Sequence, residues 1–410
     1  MKILIANPGS TSLKFKLYEF PQETIIATGK IERMSEEQSP YAIKTGGQNI
    51  SGSVSLADYA AGARWLLSVL MGEAGLLSPH PLESLHDLSA VAFKAVHGGR
   101  FNTQRGAVEL TDEVIAEMER MLPVARLHNS AYLQAIHAFA AAAPDIPRWA
   151  LFEPAFHATI SGEKTTYGLP IEWREKHGVR RYGFHGASHR YIAENAPKIM
   201  GWSPRKTATE GIVNCHLGGS SSLCAIRDMK SVDTTMGFST QTGGIPHSAR
   251  CENVDAWAVL FMQETLGLST TEMMELLCSK AGLKGISGLS GDMRDLWEGR
   301  DKGHKRALLA LDVWAYQVRR DIAWMTAALD GMGALVFTGG IGENGVRDRA
   351  LICSGLGFLG VKLDPAKNEA VRGTTGKISA PDSKTEVWVI PTNEELIVGR
   401  ATALALQAKQ

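Results

Sequence analysis

The apolar and polar positions along the 410-residue chain follow two rhythms, one of strands and one of helices. Residues 2–6 (KILIA) form a short, unbroken apolar run, the pattern of a buried strand, and NPGSTS after it is a cluster of turn formers. LKFKLYEF then alternates apolar and polar, as a half-buried strand does, and after the turn PQE a third strand is predicted over TIIATGKIE. The same order returns at mid-chain. GIVNC reads as a strand, HLGGSSS as a loop, SLCAIRD as a strand, residues 228–230 as a turn and SVDTTMG as a closing strand. Helical spacing is predicted over 56–72, 111–121, 130–143, 253–266, 271–278 and 305–329. ALVFTGGIGENG reads as strand, glycine turn and helix start, and VWVIPTNEELIVGRATALAL as strand, turn and final helix.

Two copies of strand, Gly/Ser loop and strand, half a chain apart, imply duplicated lobes and not a short-period solenoid. Hairpins dominate at the loops, so simple alternating βαβ winding does not describe the chain. The lobe boundary is placed near Phe156. The first lobe is expected to span 1–155 plus about 394–410, and the second 156–393, with the final helix returning to the first lobe.

The loops are candidate phosphate sites. Residues 7–14 offer backbone N–H groups, three hydroxyls and Lys14, and glycine lets the main chain approach an anion closely. Either loop alone reads more readily as an ordinary polar hairpin turn; their repetition favours phosphate binding. A third glycine segment, residues 338–344, suits an adenine or ribose pocket at a helix start, or a tight turn. Residues 355–360 match GxGxxG, but the following VKLD reads as a strand where a dinucleotide site needs a helix. There is no GxxxxGK[ST] segment. Histidines and charges gather in FKAVHGGRF, ARLHN, LFEPAFH, YGFHGASH and IPHSAR, which together read as the walls of one cleft. The pair His185/His189 lacks the glutamate and third ligand of a zinc site.

Charge changes the picture only by exclusion. Lysine and arginine total 43 against 43 acidic residues, so nothing points to nucleic acid or a membrane surface. The five cysteines are scattered and odd in number, which predicts reduced thiols. With no signal-peptide pattern and no membrane-length apolar stretch, a cytoplasmic location is expected.

Taken in order, ILIANPGSTSLKF, VHGGRF, LHN, FEPAFH, YGFHGASHRYI, HLGGSSS, KSVDTTMGF, SGLSGDMRDL, FTGGIGEN and PTNEEL resemble the successive segments of the acetate kinase family, within the actin, hexokinase and Hsp70 superfamily. The resemblance runs nearly end to end. It implies an α/β fold of two duplicated, ribonuclease H-like lobes with an ATP cleft between them, a homodimer, and reversible ATP-dependent phosphorylation of a small carboxylic acid. By position it implies that Asn7 and Glu394 bind Mg²⁺. Lys14, His216, Leu217, Gly218, Gly219, Ser220, Asp292, Met293, Arg294, Gly340, Ile341, Gly342, Glu343 and Asn344 would line the nucleotide site. Glu153 stands at the family's active-site aspartate, and His185 and Arg250 stand where transition-state stabilisers sit. Lys94 and His128 would face the acid, and Val96, Leu127 and Phe184 its alkyl end.

The sequence also departs from that family. Lys94 replaces an arginine and so loses the bidentate fork; Arg100 and Arg126 are candidates to compensate. Glu153 is one methylene longer than aspartate, HLGGS replaces HLGNG, and residues 239–249 (STQTGGIPHSA) replace a proline-glutamate-glycine pattern. Pro8 is similar to the related butyrate kinases. The changes gather around the acyl acceptor, which gives two expectations of equal standing: altered acid specificity, with Arg126 and His247 adding polar contacts, or a divergent acetate or propionate kinase. A degenerate nucleotide binder and an actin- or Hsp70-like ATPase switch are the alternatives in function.

Overall fold

The computed structural model describes residues 1–241 and 244–409, apart from the side chain of Leu127. The chain divides into two units. The first comprises Met1–Ala158 and Asn393–Gln410, the second Thr159–Thr392.

The first unit is built on an eight-stranded sheet. Its strands are β1 (Lys2–Pro8), β2 (Leu13–Glu19), β3 (Thr24–Ile31), β4 (Ser39–Thr45), β5 (Gln48–Val54), β6 (Leu88–Phe93), β7 (Val108–Glu109) and β8 (Arg148–Ala150), in the order β5-β4-β3-β2-β1-β6-β8-β7. β1 runs parallel to β6, and β6 to β8; the other pairs are antiparallel. Ile3, Leu4, Ile5 and Ala6 are all fully buried, which is why β1 reads as a continuous apolar run. On β2, Leu13, Phe15 and Leu17 are buried while Lys14 is exposed, the alternation of a strand with one solvated face. Helices Tyr59–Leu70 and Leu122–Ala142 pack on each other, and the C-terminal helix Glu394–Lys409 packs on β1, β6 and β8.

The second unit repeats the plan. β9 (Ile212–His216), β10 (Ser222–Arg227), β11 (Lys230–Thr234), β12 (Ala334–Thr338), β13 (Gly376–Lys377) and β14 (Glu386–Val389) form a sheet in the order β11-β10-β9-β12-β14-β13. β9 is parallel to β12 and β12 to β14, while β9, β10 and β11 form an antiparallel meander. The path β3-β2-β1-β6-β8 of the first unit thus recurs as β11-β10-β9-β12-β14. The duplication legible in the loops is a duplication of topology, and the α/β class expected of the chain is the one observed. Helix Lys305–Ala328 lays Ala307, Ala310, Leu311, Trp314, Val318, Ile322 and Met325 into this unit's core at helical spacing.

Several helices differ from their sequence patterns. The helix expected at 56–72 is Tyr59–Leu70: Asp58 caps it by accepting from the Ala61 N–H at 2.7 Å. The helix expected at 130–143 begins at Leu122, with a kink at Ala125. The polar stretch ARLHN hides this start, because Asn129 is buried by hydrogen bonds to the main chain of His97, not solvated. The helix expected at 253–266 begins at Ala256, after its cap Asp255, and ends where Gly267 turns left-handed. After Gly355–Gly360, Val361 bridges to Thr385 and no dinucleotide-type helix follows. All five cysteines are free thiols. Among the described residues, no helix is long and apolar enough to cross a membrane.

Candidate functional site

In the first unit, the loop after β1 closes on itself. Gly9 N–H donates to the Ser12 carbonyl at 2.7 Å, and the Tyr59 hydroxyl donates to the same carbonyl at 3.0 Å and also to that of Gly9. Asn7 and Lys14 pair across the strands that flank the loop. A cavity of 350 Å³ opens beside these two residues and is lined also by Lys16, Lys30, Lys44 and Glu395, an electropositive wall suited to an anion.

Lys94, just past the end of β6, is the hub of this unit's charged cluster. Its ammonium lies 2.6 Å from Glu394 Oε2 and 3.2 Å from Glu153 Oε1. Burial alone would push the ammonium down, but Glu394 and Glu153 outweigh it and hold the group well above the usual lysine range. Tyr132 stands in the same field, with its phenol raised by burial, and donates to Asn7 Oδ1 at 2.9 Å. Asn7, Lys94, Tyr132, Glu153 and Glu394 therefore belong to one cluster drawn from five separate segments. Asn7 offers an amide oxygen and Glu394 a carboxylate. These hard donors suit Mg²⁺, which takes one or two protein oxygens and completes its shell with water and phosphate oxygens.

The acid-facing candidates of this unit have mixed placements. Val96 is buried, and His128 is half-buried on the helix that also carries Tyr132. The side chain of Leu127 lies outside the described residues. Arg100 is turned onto Glu113 and lies over the Phe101 ring, so it does not join Lys94; Arg126 is exposed.

In the second unit, the parallel register of β9 and β12 sets Thr338 beside His216. That pairing joins two loops which are far apart in sequence. Leu217 N–H donates to the Thr338 carbonyl, and the Leu217 carbonyl accepts from Ile341 N–H, both at 2.8 Å. Gly339 makes the join possible. Its φ is +77°, and a Cβ there would lie 2.7 Å from the Leu217 carbonyl oxygen. Glu343 Oε1 accepts from Gly339 N–H at 2.9 Å and braces the turn, and Asn344 Nδ2 donates to the Gly340 carbonyl at 3.0 Å. Gly219 and Gly340 have open space where a side chain would begin. Gly342 lies against Phe337.

Of the three serines in this loop, two are turned inward. Ser221 Oγ donates to the Gly218 carbonyl, and Ser222 Oγ lies 2.8 Å from His185 Nδ1 and 2.8 Å from His189 Nε2. Ser220 is half-buried. His247 Nδ1 accepts from Ser221 N–H at 2.8 Å; burial drives that imidazole down to about 3, so it is a neutral brace of the loop. Arg250 donates to the Thr240 carbonyl at 2.9 Å, and burial lowers its guanidinium. Thr242 and Gly243, within the divergent 239–249 segment, lie outside the described residues.

His185 caps helix Gly186–Ile199 with φ +55°, a left-handed backbone uncommon outside glycine. Its ring stacks on His216 at 4.3 Å between centroids, and His216 Nδ1 meets Ser188 Oγ at 2.8 Å. Phe184 is buried beside it in sequence. Asp292 caps helix Met293–Asp301 and holds the exposed Arg294 guanidinium at 2.6 Å, whereas the side chains of Met293 and Leu217 are buried in this unit's core.

Tyr132, Ser188 and Asn214 were not among the sequence candidates, and Ser222 was one only as the last residue of the candidate phosphate loop at 216–222. Tyr132 sits in an Ala-rich helix that reads as packing, and Ser222 at a strand start that reads as loop. The available signal was spacing: His185 and Ser188, and His128 and Tyr132, lie three and four residues apart on one helix face.

A model of the acetokinase family matches residues 2–400. An acetate kinase of Dictyoglomus turgidum is 40% identical over 410 residues, covering 100% of this chain and 98% of that protein. The crystal structure of Porphyromonas gingivalis acetate kinase superposes with a TM-score of 0.85 at 34% identity, covering 99% of each chain. A propionate kinase from Francisella tularensis gives 0.86 at 30% identity, covering 98% of each.

Proposed function

The chain belongs to the acetokinase family, and from that premise we propose that it transfers the γ-phosphoryl group of ATP, reversibly, to the carboxylate of a small carboxylic acid. The observation that carries the choice of acceptor is the ion pair between Lys94 and Glu153, at 3.2 Å. A hydroxyl acceptor needs a base to take its proton. A carboxylic acid, with a pKa of roughly 4, arrives ionised and needs none. A carboxylate committed to an ammonium suits the second case.

The residues then divide the work. A carboxylate oxygen of the acid attacks the γ-phosphorus, the bond from that phosphorus to the bridging oxygen breaks, and ADP leaves with the electron pair. Lys94 offsets one of the two charges of Glu153 and Glu394, and Mg²⁺ at Glu394 would offset the rest, so that the first unit can accept an anionic acid. Val96, Leu127 and Phe184 take the acid's alkyl end, and His128 faces the acid. His185 and Arg250 donate to the oxygens on which charge develops. Lys14 and the main-chain N–H groups of His216, Leu217, Gly218, Gly219 and Ser220 hold phosphates. Asp292, Met293, Arg294 and the turn of Gly340, Ile341, Gly342, Glu343 and Asn344 receive the adenosine. Asn7 and Glu394 would hold Mg²⁺, which would screen the phosphate oxygens.

We also read the protein as a homodimer. Helix Ala256–Leu266 (AWAVLFMQETL) has no buried residue, and Trp257 and Phe261 are 77% and 66% exposed. An apolar face of that kind marks an interface, and a second copy is the partner expected in this family.

Hydroxamate trapping of the acyl phosphate tests the function. The acids would be acetate, propionate, butyrate and valerate, with hydroxy and dicarboxylic analogues. Acyl phosphate formation that depends on ATP is expected. ATP binding without turnover of any acid would overturn the proposal. The rank order decides specificity: a best specificity constant for acetate removes the altered-acid reading.

A further inference from the structure

A hydrogen-bonded chain runs from β9 to His185, and it has a direction. Asn214 Nδ2 lies 2.8 Å from His189 Nδ1, His189 Nε2 lies 2.8 Å from Ser222 Oγ, and Ser222 Oγ lies 2.8 Å from His185 Nδ1. Asn214, His189 and Ser222 are all fully buried.

The side-chain amide of Asn214 fixes the polarity. With Nδ2 toward His189, one N–H bonds the ring, while Oδ1 and the second N–H have no hydrogen-bond partner among the described residues. Turned over, the oxygen would be used and both N–H groups would be buried unpaired. A buried carbonyl short of a partner is tolerated more often than a buried N–H, so the amide donates. His189 Nδ1 is then a bare acceptor, and the proton of this ring sits on Nε2. That N–H donates to Ser222 Oγ, which leaves the hydroxyl hydrogen to donate to His185 Nδ1. His185 in turn carries its proton on Nε2. Turned over about its Cβ–Cγ bond, the ring would present a C–H to Ser222 Oγ in place of Nδ1 and lose this hydrogen bond.

We infer that Asn214, His189 and Ser222 are positioning residues that hold His185 as the Nε2–H tautomer, so that it meets the transferring phosphoryl group as a hydrogen-bond donor. The catalytic consequence rests on the acyl kinase reading, while the tautomer does not. The device spares His185 any need for a net charge: a neutral ring with a fixed donor serves where an unfixed one would spend part of its population as an acceptor facing an anion.

Long-range proton–nitrogen correlation on the full-length protein labelled with nitrogen-15 histidine tests the tautomer directly. His185→Gln and His189→Gln assign the signals. Both rings of the wild type are expected to show a bare Nδ1 and a protonated Nε2. A proton on Nδ1 of His185 overturns the inference. Ser222→Ala breaks the chain. His185 is then expected to become a mixture of tautomers, with kcat falling about 10–100-fold, the scale of one lost buried hydrogen bond, and KM for ATP unchanged. A Ser222→Ala protein with wild-type tautomer overturns it, whether or not kcat falls. Failure of the wild type to phosphorylate any acid would remove the acyl kinase reading and leave the tautomer result standing on its own.

Discussion

Lys94 and Glu394 lie 300 residues apart in the chain, yet the ammonium and the carboxylate meet at 2.6 Å, with Glu153 on the other side of the same cation. One positive charge thus holds two negative ones, Glu153 buried and Glu394 half-buried. Removing it leaves both carboxylates in low dielectric without their cation. Lys94→Met is expected to destabilise the first unit by about 3–5 kcal/mol, the scale for breaking a buried pair from one side. Urea unfolding read by fluorescence would show it, and a loss below about 1 kcal/mol would mean that the cluster is solvent-screened. Lys94→Arg keeps the charge but puts a planar fork in the place of a point donor, so partial recovery is expected.

Arg250 is expected to act on rate more than on nucleotide binding. Arg250→Ala should lower kcat by at least about two orders of magnitude, as loss of one electrostatic stabiliser does. Steady-state kinetics with nucleotide titration would check this. Turnover near the wild-type rate would remove Arg250 from the chemistry and leave it only its bond to the Thr240 carbonyl.

Gly339 is the residue on which the join between the two loops of the second unit depends. Gly339→Ala would place a methyl against the Leu217 main chain and ask alanine to adopt φ +77°. The expected outcome is a loss of ATP affinity of at least about tenfold, equivalent to ~1.4 kcal/mol. Calorimetry would measure it, and unchanged affinity would separate the turn from the nucleotide site.

Glu386 gives the second unit a pH signature. Burial pushes its carboxyl up, but hydrogen bonds from Lys206, Trp202, Lys377 and Trp388 more than reverse this and hold it at about 2. The folded value lies below the unfolded one of roughly 4.3. The stabilisation is therefore complete above the unfolded value and is lost as pH falls through the folded one. Glu386→Gln is expected to cost ~1 kcal/mol at neutral pH after allowance for solvent screening. The gap to the wild type should close between pH ~4 and ~2. A gap independent of pH would assign the effect to packing.

The apolar helix is tested by oligomeric state. Phe261→Asp places a charge on the exposed face of helix Ala256–Leu266. Light scattering after size exclusion should find a dimeric wild type and a monomeric variant. A monomeric wild type, or a variant that remains dimeric, would assign that face to something other than self-association.

Much of the fold was legible because it is local or repeated. The unbroken run of β1, the alternation in β2 and the recurrence of strand, loop and strand at β9 and β10 are properties of residues within a few positions of one another, and short-range sterics and burial act on those directly. The start of helix Leu122–Ala142 was not legible. Asn129 looks solvated until the His97 main chain, 32 residues away, takes its hydrogen bonds.

The sequence by itself determined the architecture, through the repeated pattern, and the residue types available for chemistry, through the order of its motifs. Only the tertiary structure decided their partners. Parallel pairing of β9 with β12 brings Leu217 to Ile341 in the glycine turn, and the final helix delivers Glu394 to Lys94. It likewise decided that Ser222 serves two histidines and not an open loop. The reason is that a hydrogen bond or ion pair is set by distances of about 3 Å between side-chain atoms, and a chain that is read along its length holds no such distance between residues tens or hundreds of positions apart.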